Sequence, residues 1–90
     1  MTKLLRVQSA EGTKRVEVSV SATTSQLFET IHDAFDLNSF AFALYKEKNK
    51  KNEIASSKTK TLRTLGLRHG DMIYLAPVNG AVLFVSAIFL

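Results

Sequence analysis

His32 and His69 are the only imidazoles in this 90-residue chain, and there is no cysteine. Thiol nucleophiles, disulfides and thiolate zinc sites are therefore excluded. Neither histidine stands among carboxylates at metal-ligand spacing. His32 sits beside Asp33 on a helical polar face and His69 in a turn, so both read as solvated surface groups. No Ser-His-Asp set, phosphate-cradling glycine loop or pair of carboxylates at acid–base spacing is present. The residues point to a non-enzymatic protein with no cofactor and no metal site. What is chemically distinctive is charge: "KEKNKKN" carries Lys46, Lys48, Lys50 and Lys51 around Asn49.

That charge is unevenly spread. Residues 1–45 hold four basic and five acidic groups, residues 46–68 hold eight basic and two acidic, and residues 69–90 add only Asp71. The net +4 of the chain thus resides in one segment, an asymmetry that describes a partner's surface better than a fold. A solvated loop kept polar against aggregation is one reading. A loop whose lysines and Asn49 meet an acidic groove on another protein is a second. Nucleic-acid binding is the alternative of a different class, but it wants stacking aromatics or a wider basic stripe, and Tyr45 is the only aromatic flanking the run.

Several elements must position this run. With 46% hydrophobic and 22% charged residues, the composition is that of one small globular domain. "MTKLLRVQS" has no apolar run long enough for a signal peptide, and a reducing cytosolic or nuclear setting fits. Leu5 and Val7 share one face of an alternating run, and Val16, Val18 and Val20 alternate with Arg15, Glu17 and Ser19, the period-2 pattern of half-buried strands. "SAEGT" between them supplies Gly12 for a hairpin turn. Leu27, Ile31, Ala34 and Phe35 then form one helical stripe of about three turns, opened by a Thr23–Gln26 capping box, with Asp36 and Asn38 as turn formers at its exit.

"FAFALY" is the third strand, with Phe40, Phe42 and Leu44 on one face and Ala41, Ala43 and Tyr45 on the other. "KEKNKKN" reads as a polar loop, with a short strand around Ile54 after it. Leu62, Leu65 and Leu67 come from a single-turn or irregular segment. A "RHGD" corner leads into Met72–Ala76, whose Met72, Tyr74 and Ala76 face one way and Ile73 and Leu75 the other. The order β-β-α-β-β-β, with one helix to cover one sheet face, is an α+β layer fold of β-grasp type. Leu5, Val7, Val16, Val18, Ile31, Phe35, Leu65 and Leu67 are the expected core.

"LLRVQSAEGTKRVEV", "KNKKNEIASS" and "LGLRHGDMIYLAP" together resemble the N-terminal ubiquitin-like domain of the nuclear protein localization protein four homolog family, over most of residues 4–77. The resemblance implies an adaptor module that docks on the N-terminal domain of the AAA ATPase valosin-containing protein. In that family the adaptor pairs with ubiquitin fusion degradation protein one and delivers ubiquitylated clients for extraction and proteasomal degradation. It also implies the cytoplasm, the nucleus and the cytosolic face of the endoplasmic reticulum. Related domains that bind this ATPase use the loop between strands three and four with an arginine on strand one. That carries over here to Arg6, Tyr45, Lys46, Lys48, Asn49, Lys50 and Lys51, although the phenylalanine-proline-arginine tip of those relatives is missing. Ubiquitin's own recognition patch corresponds to Ala43, Tyr74 and Ala76, a smaller and altered surface.

Conjugation is not expected, since Gly80 is followed by ten further residues and not by a Gly-Gly carboxylate. The domain is expected to span residues 1–78, and residues 79–90, "NGAVLFVSAIFL", to form an apolar tail outside it. Ala81–Leu90 is too short to span a bilayer as a helix. Family members continue for hundreds of residues, so this chain alone is expected to dock, as a monomer, without recruiting clients.

Overall fold

A computed structural model of the chain describes residues 2–78 and Leu83. The expectations about Gly80 and about the rest of the apolar tail lie outside those residues.

Alternation of small apolar and polar side chains makes β1 (Thr2–Ser9) and β2 (Gly12–Ser19), an antiparallel pair in which Ser9 opposes Gly12. Gly12 has φ +121, a backbone geometry that a Cβ disfavours. The Ser9 hydroxyl steadies the turn by donating to the Gly12 carbonyl and accepting from the Glu11 N–H. Helix α1 (Thr24–Ala34) begins at the expected capping box: the Gln26 N–H donates to Thr23 Oγ1 at 3.2 Å, and the Thr23 N–H to Gln26 Oε1 at 2.9 Å. Asp36 ends the helical path with φ +52.

Strands β3 (Phe42–Glu47), β4 (Lys51–Ile54) and β5 (Met72–Pro77) complete one mixed sheet in the order β2-β1-β5-β3-β4, with a four-residue helix α2 (Leu62–Leu65) before β5. The central β1–β5 pair is parallel and the others antiparallel. This is the α+β order the sequence predicts.

The core lies between the sheet and α1. Leu5, Val7, Val16, Val18, Ile31, Phe35 and Leu67 are buried as expected, joined by Leu27, Leu37, Phe42, Leu44, Ile54, Leu62, Ile73 and Leu75. Leu65 is only half-buried and packs against the rim of this cluster, because the single turn of α2 presents Leu62 inward in its place. Phe40 departs from its expected buried face. The strand starts at Phe42, whose N–H turns back to the Phe40 carbonyl at 2.8 Å, and Phe40 is left 55% exposed. Leu83, beyond the expected domain edge at residue 78, is 3% exposed within the core cluster, and its carbonyl accepts from the Asn38 N–H at 2.7 Å.

Thr24 is the one buried polar residue among those described. Its hydroxyl donates to the Ser57 carbonyl at 3.2 Å and accepts from the Ser57 N–H at 2.7 Å. The Thr24 and Ser25 N–H groups reach the Lys60 and Ser57 carbonyls, both at 2.9 Å. Segment 57–60 therefore supplies acceptors to helix N–H groups that have no partner within the helix.

Candidate docking surface

The basic run is less of a loop than its composition suggests. Lys46 and Glu47 end β3, and Lys51 and Asn52 begin β4, so only Lys48, Asn49 and Lys50 form the turn. Asn49 and Lys50 are left-handed, with φ +67 and +60, and Asn52 follows at +56. Asparagine tolerates this conformation better than most residues. The Asn52 amide also donates to the Glu47 carboxylate across the hairpin.

Strand parity separates the lysines. Lys46 shares the inner face with Leu44 and Phe42, and its Nζ donates to the Leu65 carbonyl at 2.8 Å. It therefore anchors α2 to β3 and faces away from the outer surface on which the sequence reading grouped it. Lys51 opposes Glu47 on the outer face. Tyr45 lies on that face opposite Tyr74, both half-buried. Ala43 opposes Ala76 there but is only 5% exposed, so it contributes little accessible surface, while Ala76 is half-buried.

Arg6 is exposed on the same outer face, between Arg15 of β2 and Met72 of β5. Its Nε donates to the Gly70 carbonyl at 2.9 Å, and its N–H to the Asp71 carbonyl at 2.9 Å. Gly70 takes φ +88 so that the 68–71 corner can present both carbonyls to β1, and the Asp71 carboxylate accepts from the Arg68 N–H at 2.8 Å. The β3–β5 register continues Met72 toward Glu47 and so to Lys51. One cross-strand row thus carries Arg15, Arg6, Met72, Glu47 and Lys51. Arg6 and Lys51 are three strand spacings apart, about 15 Å at roughly 4.8 Å each, on one face without touching.

Arg15 was not singled out from the sequence, although a signal for it existed. A two-residue turn at Ala10–Glu11, with Gly12 opening the second strand, pairs residues whose numbers sum to 21, which sets Arg15 opposite Arg6. Like charges directly across a strand pair are destabilising, so a row holding two arginines is costly unless something anionic meets it.

The histidines are more engaged than solvated groups. The His32 ring stacks on Phe40 with centroids 4.1 Å apart, and its Nδ1 lies 3.2 Å from the Asp33 carboxylate. His69 is exposed, yet its Nδ1 accepts the Leu4 N–H at 3.1 Å. Among the described residues no group of three or more His, Cys, Asp or Glu is placed to hold a metal, and no helix is long and apolar enough to cross a membrane.

The fold is that of known ubiquitin-like domains. The solution structure of the ubiquitin-like domain of the Arabidopsis thaliana protein At2g32350 superposes with a TM-score of 0.72 at 21% identity, over 90% of this chain and 84% of that one. Caldiarchaeum subterraneum ubiquitin gives 0.65 at 22% identity, over 89% and 100%. In sequence, the chain is 40% identical over 77 residues to the Drosophila melanogaster nuclear protein localization protein 4 homolog, covering 86% of this chain and 11% of that protein. It is 32% identical over 74 residues to the human homolog, covering 82% and 12%. The chain therefore spans about a tenth of the length of these relatives. Since residues 2–76, nearly the whole described sheet and helix, match the family described as nuclear pore localisation protein NPL4, the chain belongs to that family.

Proposed function

We propose that this domain is a non-enzymatic docking module that binds the N-terminal domain of the AAA ATPase valosin-containing protein. It acts within the adaptor formed with ubiquitin fusion degradation protein one, in ubiquitin-dependent protein degradation in the cytoplasm and nucleus and at the cytosolic face of the endoplasmic reticulum. The observation that supports this reading most is the family match over residues 2–76. The outer row of Arg6, Arg15 and Lys51 beside the Lys48–Lys50 turn supports it physically, as a basic surface suited to an acidic partner. Tyr45 and Tyr74 supply half-buried apolar area next to that row. Lys46 belongs to this surface only through its backbone.

The test is surface plasmon resonance against the isolated ATPase N-terminal domain at several salt concentrations. Rim charges chiefly steer encounter. Reversing Lys48, Lys50 and Lys51 to glutamate is therefore expected to lower the association rate more than it raises the dissociation rate, and to flatten or invert the salt dependence. Wild-type domain that shows no saturable binding refutes the docking reading. A steep loss of oligonucleotide binding with rising salt, in place of ATPase binding, would favour the nucleic-acid alternative through counterion release.

A further inference from the structure

Phe40 and Val78 are the large apolar residues left exposed among the described residues, at 55% and 38%. Both line one open groove of about 510 Å³, between the first turns of α1 and the start of β3, where β4 has already ended. Its floor is a series of stacked rings, with Phe28 and Phe42 at 5.4 Å between centroids and Phe42 and Phe40 at 6.1 Å. His32 continues the stack against Phe40, so the most exposed ring is held in place before any ligand arrives. Rings fixed this way lose little freedom on binding. The volume falls within the range of ordinary ligand sites.

Charge indicates what fits. Glu29 borders the groove from α1, and Glu53, paired with Tyr45 on the outer face, borders its outer rim where β4 ends. Among the described residues no lysine or arginine lines it, although the chain as a whole is +4. Neither carboxylate forms an ion pair among the described residues. The groove also lies at the opposite end of β3 from the Lys48–Lys50 turn, so it is no part of the basic surface.

We propose that this groove binds a short segment of a partner protein in which a leucine or aromatic anchor is followed by lysine or arginine. The anchor gains burial against Phe28, Phe40 and Phe42, and the cation meets Glu29 and Glu53. Two rim carboxylates repel phosphate, which favours a cationic peptide over nucleic acid or an anionic membrane. The site does not depend on ATPase docking.

The probes are two capped, fluorescein-labelled peptides in which a leucine-phenylalanine pair is followed by two lysines or by two glutamates. Each is titrated into the full chain and followed by fluorescence anisotropy. The lysine probe is expected to bind about tenfold or more tighter than the glutamate probe and to weaken as salt rises. Phe40→Ser, an exposed position where folding is checked by circular dichroism, is expected to cost about tenfold or more. The double variant Glu29→Gln, Glu53→Gln should erase the difference between the probes. The triple Lys48→Glu, Lys50→Glu, Lys51→Glu should leave it intact, which separates this site from the ATPase surface. Equal binding of both probes, no effect of Phe40→Ser, or no saturable binding up to about 1 mM, an affinity of about −4 kcal/mol, overturns the proposal. So does self-association that Phe40→Ser abolishes, which would assign the groove to a second copy of the chain.

Discussion

Arg6 faces Arg15 across the hairpin while its Nε holds the Gly70 carbonyl at 2.9 Å, so one side chain serves both the surface and the corner before β5. The two roles come apart on mutation. Arg6→Ala removes that bond, at about 1 kcal/mol of stability, and relieves repulsion worth a few tenths to about 1 kcal/mol. Arg15→Ala relieves the repulsion and breaks no hydrogen bond found among the described residues. Thermal melts should therefore show Arg15→Ala at or above wild type and Arg6→Ala at or slightly below it. Both should weaken ATPase binding, Arg6→Ala by about 2 kcal/mol if its guanidinium is desolvated at the contact. Unchanged binding in both variants would move the contact toward Tyr45 and Tyr74. At this scale the sequence held more than composition alone reveals. Counting alternate positions back from Lys46 through Leu44 to Phe42 puts Lys46 on the inner face, where the structure bonds it to Leu65. Treating the lysines as one polar loop concealed that. Phe40 shows the reverse error, since its alternation with Phe42 continues past the point where the strand begins.

The helix and its first turn were legible to different depths. The Thr23–Gln26 box and the Leu27–Ile31–Phe35 stripe are local patterns, set by residues within two turns of one another, and both appear as the sequence predicts. The clamp from Thr24 to Ser57 spans 33 residues, and nothing in either stretch alone announces it. It exists because α2 and the chain before it fold back against the start of α1, where the Leu62 N–H also bonds the Ala22 carbonyl at 3.0 Å. Two substitutions separate packing from polar satisfaction. Ile31→Ala leaves a cavity under a fully buried side chain and should cost about 2–5 kcal/mol. Thr24→Val keeps the volume but strands the Ser57 N–H that its hydroxyl accepts, for about 1–3 kcal/mol. Denaturant melts should rank Ile31→Ala below Thr24→Val and both below wild type. A Thr24→Val protein as stable as wild type would mean that the Ser57 N–H finds another acceptor.

Across the whole molecule, β3 joins two surfaces of opposite character, the Lys48–Lys50 turn at one end and the carboxylate-rimmed aromatic groove at the other. Periodicity was enough to give the element order, because each strand and helix announces its own buried face. It could not reveal which later residue closes the core near the exit of α1, since one leucine within an apolar stretch carries no periodic signal. In the structure that residue is Leu83, 3% exposed, with its carbonyl on the Asn38 N–H. Full burial of a leucine contributes about 1.5–3 kcal/mol, a large share of the 5–15 kcal/mol typical of a domain. A chain shortened to residue 78 should therefore be less stable than one shortened to residue 83. At about 4–8 °C per kcal/mol for a domain of this size, the difference in Tm is roughly 6–24 °C. Ile31→Ala calibrates the comparison, because its cavity lies in the same core cluster. Coincident melts for the two shortened chains would show that Leu83 adds nothing to the core and that the domain closes at β5. A clear gap between them would place the working boundary at Leu83, which any binding measurement on the isolated domain must then include.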